Sequence, residues 1–196
     1  MIALLPSMLL LVGAGITWAA RHRSDRLTWG VATAFALLAW LSVLVTLPAL
    51  PTEIALSAWR PTSLFASRLE ISLDRPAWGI LYSMATALLG ILLTAVARPA
   101  AGAAGSRVIM LAYTALAMVA VMAGNLLTVV IVWMVIDLLG FLYLVARVED
   151  VTGAQTLVAR LAIDMAGTLL ALTAAAASFA GTLELPFGLQ SGPLLP

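Results

Sequence analysis

The sequence has no cysteine and no lysine, and its one histidine is His22. Without cysteine there can be no disulfide, thiolate metal site or iron–sulfur ligation, and His22 lies among arginines rather than in a set of metal ligands. No cofactor is expected. Charge is scarce as well: 10% of the 196 residues are charged against 63% hydrophobic, and the mean hydropathy is +1.11. That balance excludes a soluble globular protein. A net charge of +1 leaves no basic stripe for nucleic acid. There is no nucleophile–base pair, phosphate loop or metal constellation, so no small-molecule substrate is identified. The N-terminus has neither a charged leading region nor a small-x-small cleavage site, which predicts a retained first helix.

What the sequence has instead is long apolar runs. A bilayer core of about 30 Å needs roughly 20 helical residues. Six stretches meet this, at about 2–20, 27–47, 76–97, 108–123, 126–146 and 156–180. The expectation is an all-α integral membrane protein of about six transmembrane helices. Between the second and third lies the one sizeable polar segment, 48–75, expected to form a short extracytoplasmic cap. Within it Ser67-Arg68-Leu69-Glu70-Ile71-Ser72-Leu73-Asp74 alternates polar and apolar, the pattern of a strand, so a hairpin would suit it. Asp74-Arg75-Pro76 has the form of a helix cap, an acid followed by proline in the first turn. Gly124-Asn125 is the turn signal in an apolar stretch too long for one crossing, and 181–196, rich in proline and glycine, reads as an irregular tail.

Arginine exceeds acid in the loop carrying Arg21, Arg23 and Arg26, and again at Arg98 and Arg107, while Arg147 and Arg160 flank the loop before the last helix. Arginine excess marks the cytoplasmic side. Both termini and the cap are then extracytoplasmic, in a multi-pass protein of the cell inner (cytoplasmic) membrane. Trp18, Trp29, Trp59 and Trp78 fall near span ends, as interfacial anchors do. The His22 cluster either sets orientation or meets lipid phosphate or a partner's acids. Met110, Met118 and Met122 read as fillers of helix interfaces, and the Ala174–Ala180 neighbourhood as a surface for close helix approach.

The residue most in need of explanation is Asp137, near the middle of the fifth span. A charge at that depth costs from about 2.5 to over 10 kcal/mol, so such an acid is neutral, partnered or facing a wet cavity. Asp137 lies nine residues before Ala146, and Asp164 eight after Thr156 on the antiparallel neighbour. At 1.5 Å per residue both sit about 12–14 Å from the same membrane face. Arg160, one turn before Asp164, shares its face. Arg160, Asp164 and Asp137 are therefore candidates for a stepwise proton path. The competing readings are an ion pair at the helix start for Arg160 and Asp164, and a neutral packing residue for Asp137.

Three features occur in a fixed order. First come two helices, an external segment holding Trp59 and closing on Ser72-Leu73-Asp74, and a third helix. Next comes Met122-Ala-Gly-Asn125-Leu-Leu followed by Trp133, and then Ala154-Gln-Thr-Leu-Val-Ala-Arg160-Leu-Ala-Ile-Asp164. Together they resemble the antiporter-like membrane subunits of respiratory complex I, a family shared with cation/proton antiporters and membrane-bound hydrogenases. The resemblance implies a subunit of an energy-converting complex of NADH dehydrogenase or antiporter type, with other membrane subunits and lipid as partners and catalysis on other chains. The match departs from the family at the proton path. The family has Glu after the tryptophan, where this sequence has Met134, and pairs it with an intramembrane lysine that this sequence lacks. Two other readings remain: a structural or assembly subunit of a respiratory or photosynthetic complex, and a small homo-oligomeric transporter.

Overall fold

The computed structural model describes residues 2–56, 69–97, 104–148 and 151–178. Trp59, the tip of the cap and the tail 181–196 lie outside the described residues. A short 3-10 turn, Ile2–Leu4, leads into α1 (Leu5–Ala19), with Pro6 in the first turn, where its missing N–H costs nothing. α2 spans Asp25–Thr46; its N-cap Ser24 accepts from the Leu27 N–H, and Asp25 opposes the positive helix end. Strands β1 (Thr52–Leu56) and β2 (Leu69–Leu73) pair antiparallel, with Thr52 opposite Leu73 and Leu56 opposite Leu69. Asp74 then caps α3 (Arg75–Ala97), its carboxylate accepting from the Ala77 N–H at 2.8 Å. Three more helices follow: α4 (Ala104–Val121), α5 (Leu126–Val145) and α6 (Val151–Ser178).

Four stretches among the described residues are long and apolar enough to cross a membrane: Ile2–Ala19, Asp25–Ala49, Arg75–Ala95 and Thr128–Val145. The apolar stretch of α4, Gly105–Val121, is shorter, and α6 is not among the four. The two later helices start earlier than the hydropathy pattern predicts. α4 begins at Ala104 rather than near 108, and α6 at Val151 rather than near 156. A polar first turn is no obstacle to a helix, and Arg107 finds its partners from inside one.

The core follows a repeated spacing of four, three and four residues. Ala32, Ala36, Ala39 and Val43 form the buried stripe of α2; Leu81, Ala85, Leu88 and Leu92 that of α3; Leu111, Ala115 and Met118 that of α4, continued by Met122 just past its end. Positions so spaced share one helix face. The alanine stripe lets α2 approach its neighbours closely, the means of helix association where lipid removes the hydrophobic drive. On α1 the close approach is at Gly13, where a Cβ would lie 2.5 Å from the Phe35 Cβ. Between α2 and α3, the Trp78 indole donates to the Val43 carbonyl at 2.8 Å and the Trp40 indole to the Thr86 hydroxyl at 3.0 Å.

The link between α4 and α5 is an extended segment rather than a tight turn. Asn125 is extended (φ −147°, ψ 163°), and β2 docks along the link. The Ser72 N–H donates to the Met122 carbonyl at 2.7 Å, and the Gly124 N–H to the Glu70 carbonyl at 2.8 Å. The Thr128 hydroxyl accepts from the Glu70 N–H at 3.1 Å and donates to Asn125 Oδ1 at 2.7 Å. Gly124 is required by the close approach, since a Cβ there would lie 2.8 Å from Glu70 Cγ. β2 thus holds the start of α5 in place.

Candidate functional site

α5 and α6 lie side by side and antiparallel, with Asp137 on one and Arg160 and Asp164 on the other. All three line a cavity of about 90 Å³ that is closed on the α4 side by Tyr113 and runs on past Gly140 and Leu144 to Leu157. At roughly 30 Å³ per water in the liquid, it has room for about three. The same three residues also line a wider hollow of about 580 Å³ that runs the other way, past Trp133 to Leu126 and, on α6, past Thr168 to Ala171. The ionisable groups therefore stand where two hollows meet. One extends towards the C-terminal end of α5, the other towards its N-terminal end.

The polar bonding at this junction is incomplete. Asp137 Oδ2 is buried and has no hydrogen-bond partner. Arg160 Nε lies 3.9 Å from Asp164 Oδ2, beyond hydrogen-bond length, with side chains 72% and 45% exposed. At that separation the carboxylate is not locked to the guanidinium by a hydrogen bond. The Thr168 hydroxyl donates to the Asp164 carbonyl at 3.0 Å, fixing backbone rather than carboxylate.

Tyr113 reaches this place because Gly140 has no side chain: a Cβ at 140 would overlap the Tyr113 hydroxyl. One turn of helix separates Gly140 from Asp137, so the phenol sits over the face that bears the acid. Neither Tyr113 nor Gly140 stands out from the sequence. A tyrosine within an apolar span was the available signal, since its hydroxyl must find a polar partner at depth.

The four tryptophans predicted as anchors have different surroundings. Trp18 is 54% exposed and carries the Arg21 guanidinium 4.2 Å above its ring. Trp29 is half-buried beneath Arg107, whose guanidinium lies 4.7 Å from the ring centre. Trp78 is half-buried and stacks on Tyr82 at 5.5 Å. Trp59 is outside the described residues, as are the side chains of 174–180. Of the methionines, Met118 and Met122 are fully buried and Met110 packs against the core.

Arg107 differs most from its loop assignment. It is 1% exposed and bonds Asp25, on the first turn of α2, at 2.6 Å, while Asp25 itself is 69% exposed. Among the described residues no group of three or more histidine, cysteine or acidic side chains could hold a metal ion.

No family model and no curated protein matches the chain. Its fold is similar to that of a chain in the structure of the membrane-bound sulfane sulfur reductase (MBS), an archaeal respiratory membrane complex. The TM-score is 0.66 at 18% sequence identity, and the likeness covers 91% of this chain and 28% of that one. At that identity the likeness is one of fold. The chain spans under a third of its neighbour's length. With the four apolar helices, this makes the chain a helical, multi-pass membrane protein.

Proposed function

We propose that the chain is a membrane subunit of a multi-subunit energy-converting respiratory complex, and that Asp137, with Asp164 and Arg160, handles protons within it. The observation that carries this reading is the position of the three groups where a narrow cavity and a wider hollow meet along α5 and α6. A proton relay needs titratable groups at depth with an approach from each side and with bonding loose enough to change partners. Asp137 has a free oxygen and Arg160 a loose counter-ion, and both meet that need. The likeness of fold to a respiratory complex chain and the motif order around Trp133 and Asp164 support the same assignment.

In this reading six helices cross the cytoplasmic membrane, with both termini and the cap outside, so the narrow cavity opens towards the cytoplasm. Redox chemistry resides on other subunits. Asp137 takes a proton through the narrow cavity, while Arg160 shifts between Asp164 and Asp137 as the charge changes. A second reading, a scaffold subunit without transport, is favoured by Met134 at the family's glutamate position and by the absence of lysine.

The test is Asp137→Asn in the intact complex, assayed in inverted membrane vesicles for electron transfer and proton uptake separately. Proton uptake per electron falls with the complex still assembled if Asp137 relays protons. Unchanged uptake with normal assembly supports the scaffold instead.

A further inference from the structure

A second groove lies away from the acids, between the end of α1, the first turns of α4 and the last turns of α5. It has a volume of about 570 Å³; its floor includes Val108, Ile109 and Leu142, and Arg21, His22 and Arg147 stand on its rim. Each arginine lies over an aromatic ring, Arg21 4.2 Å from the Trp18 ring centre and Arg147 4.3 Å from that of Tyr143. A guanidinium held over a ring still presents N–H groups to a bidentate acceptor such as phosphate. Arg21 Nε also donates to His22 Nε2 at 3.0 Å. Among the described residues no acid lines the groove.

Arg21 and Arg147 each lie two residues beyond the end of an apolar helix, Ala19 for α1 and Val145 for α5. That is headgroup depth, where amphipathic tryptophan and tyrosine rings also settle. Two fixed cations above an apolar trough match one kind of molecule, an amphiphile with a negative head. A zwitterionic lipid would bring an ammonium that finds no acid among the described lining residues, so the match is to net negative charge.

We propose that this groove is a binding site for an anionic phospholipid, its phosphate held by Arg21 and Arg147 and one acyl chain lying along Val108, Ile109 and Leu142. The full chain, placed in nanodiscs of phosphatidylcholine with about one-fifth phosphatidylglycerol, is released into a native mass spectrometer and its retained lipids counted. Phosphatidylglycerol is enriched over its bilayer share. Removing either arginine (Arg21→Gln, Arg147→Gln) lowers that enrichment about fivefold, the usual weight of one basic residue at an anionic surface. Arg23→Gln with Arg26→Gln removes twice that charge outside the groove and leaves the enrichment intact. Gly105→Leu fills the trough with every charge kept, since a Cβ there sits at an ordinary 3.7 Å from the Tyr143 ring, and it lowers the number of lipids retained.

The proposal is overturned if the two lipids are retained in their bilayer ratio, if Arg23 and Arg26 matter as much as Arg21 and Arg147, or if Gly105→Leu changes nothing. A photoreactive residue at 142 in native membranes separates the remaining occupants. An adduct with lipid supports the site, and an adduct with a polypeptide overturns it.

Discussion

Among the described residues the buried hydrophobic cluster comes from α1 to α4, their flanking residues and β2, whereas α6 buries no side chain and α5 only Thr128 and Val130. Charges divide along the same line. In the first region the buried cation, Arg107, has a carboxylate at 2.6 Å on Nη2 and an aromatic ring beneath it, while its Nε and Nη1 have no hydrogen-bond partner. In the second, Asp137 keeps a free oxygen and Arg160 stands 3.9 Å from its acid. The difference lies in the counter-ions and not in unpaired atoms as such, since Arg107 Nε and Nη1, Trp29 Nε1, Ser7 Oγ and Thr17 Oγ1 in the first region are also buried without a hydrogen bond. The open face of α5 and α6 is also the face that a neighbouring subunit would cover in the proposed complex.

The difference is sharpest at the two ion pairs. Asp25→Ala leaves the Arg107 charge buried with only the Trp29 ring, and breaking a buried pair this way costs about 3 kcal/mol. Arg107→Met removes the buried charge and leaves Asp25, which is 69% exposed, to solvent; it costs less than half as much. Asp164→Ala removes a partner that stands 3.9 Å from Arg160, beyond hydrogen-bond length, and costs less than Asp25→Ala. Unfolding midpoints in one detergent rank the three, and a costlier Asp164→Ala would erase the distinction between the regions. Next in size is Gly13→Ala, whose Cβ would meet Phe35 Cβ at 2.5 Å, close to the backbone where nothing can yield. Overpacking of this kind costs about 2 kcal/mol. Gly15→Ala, with nothing within 4 Å, is its neutral control.

Much of the first region was legible in the sequence because its signals are local. Asp74 before Arg75-Pro76 reads as a cap and is one, and the alternation at 67–74 contains β2. Counting residues along antiparallel helices put Asp137 and Asp164 at one depth, and they line one cavity. The contacts that were not legible join distant parts of the chain. Arg107 follows an Ala-Gly stretch that reads as a loop, and its partner lies 82 residues away. Tyr113 meets α5 only through the gap at Gly140, which no periodicity within either helix announces. The docking of β2 on the α4–α5 link uses backbone groups, so no side-chain pattern marks it.

That docking gives the next test. Asn125 Oδ1 accepts from both the N–H and the hydroxyl of Thr128, and the same hydroxyl accepts from Glu70. Asn125→Ala removes the cap of α5 and costs about 1 kcal/mol. Its effect should exceed its size, because the cap sets where α5 begins. Hydrogen exchange rises across 126–130 and leaves α2 and α3 unchanged if the two regions are mechanically separate.

The smallest expected change in stability belongs to Gly140→Ala, and it is the most informative about function. The substitution is the same as Gly13→Ala, but the new methyl meets the hydroxyl end of Tyr113 rather than a Cβ. A long side chain can swing aside, so the cost in stability stays within about 0.5 kcal/mol. Swinging aside takes the phenol off the wall of the cavity that holds Asp137. In the intact complex Gly140→Ala then alters proton uptake per electron with assembly and unfolding midpoint unchanged. If Tyr113 only fills space, uptake stays normal, and so it does in Tyr113→Phe, which keeps the ring and loses the hydroxyl. An effect of Tyr113→Phe as large as that of Gly140→Ala would make the hydroxyl, rather than the shape of the cavity, the group that acts beside Asp137.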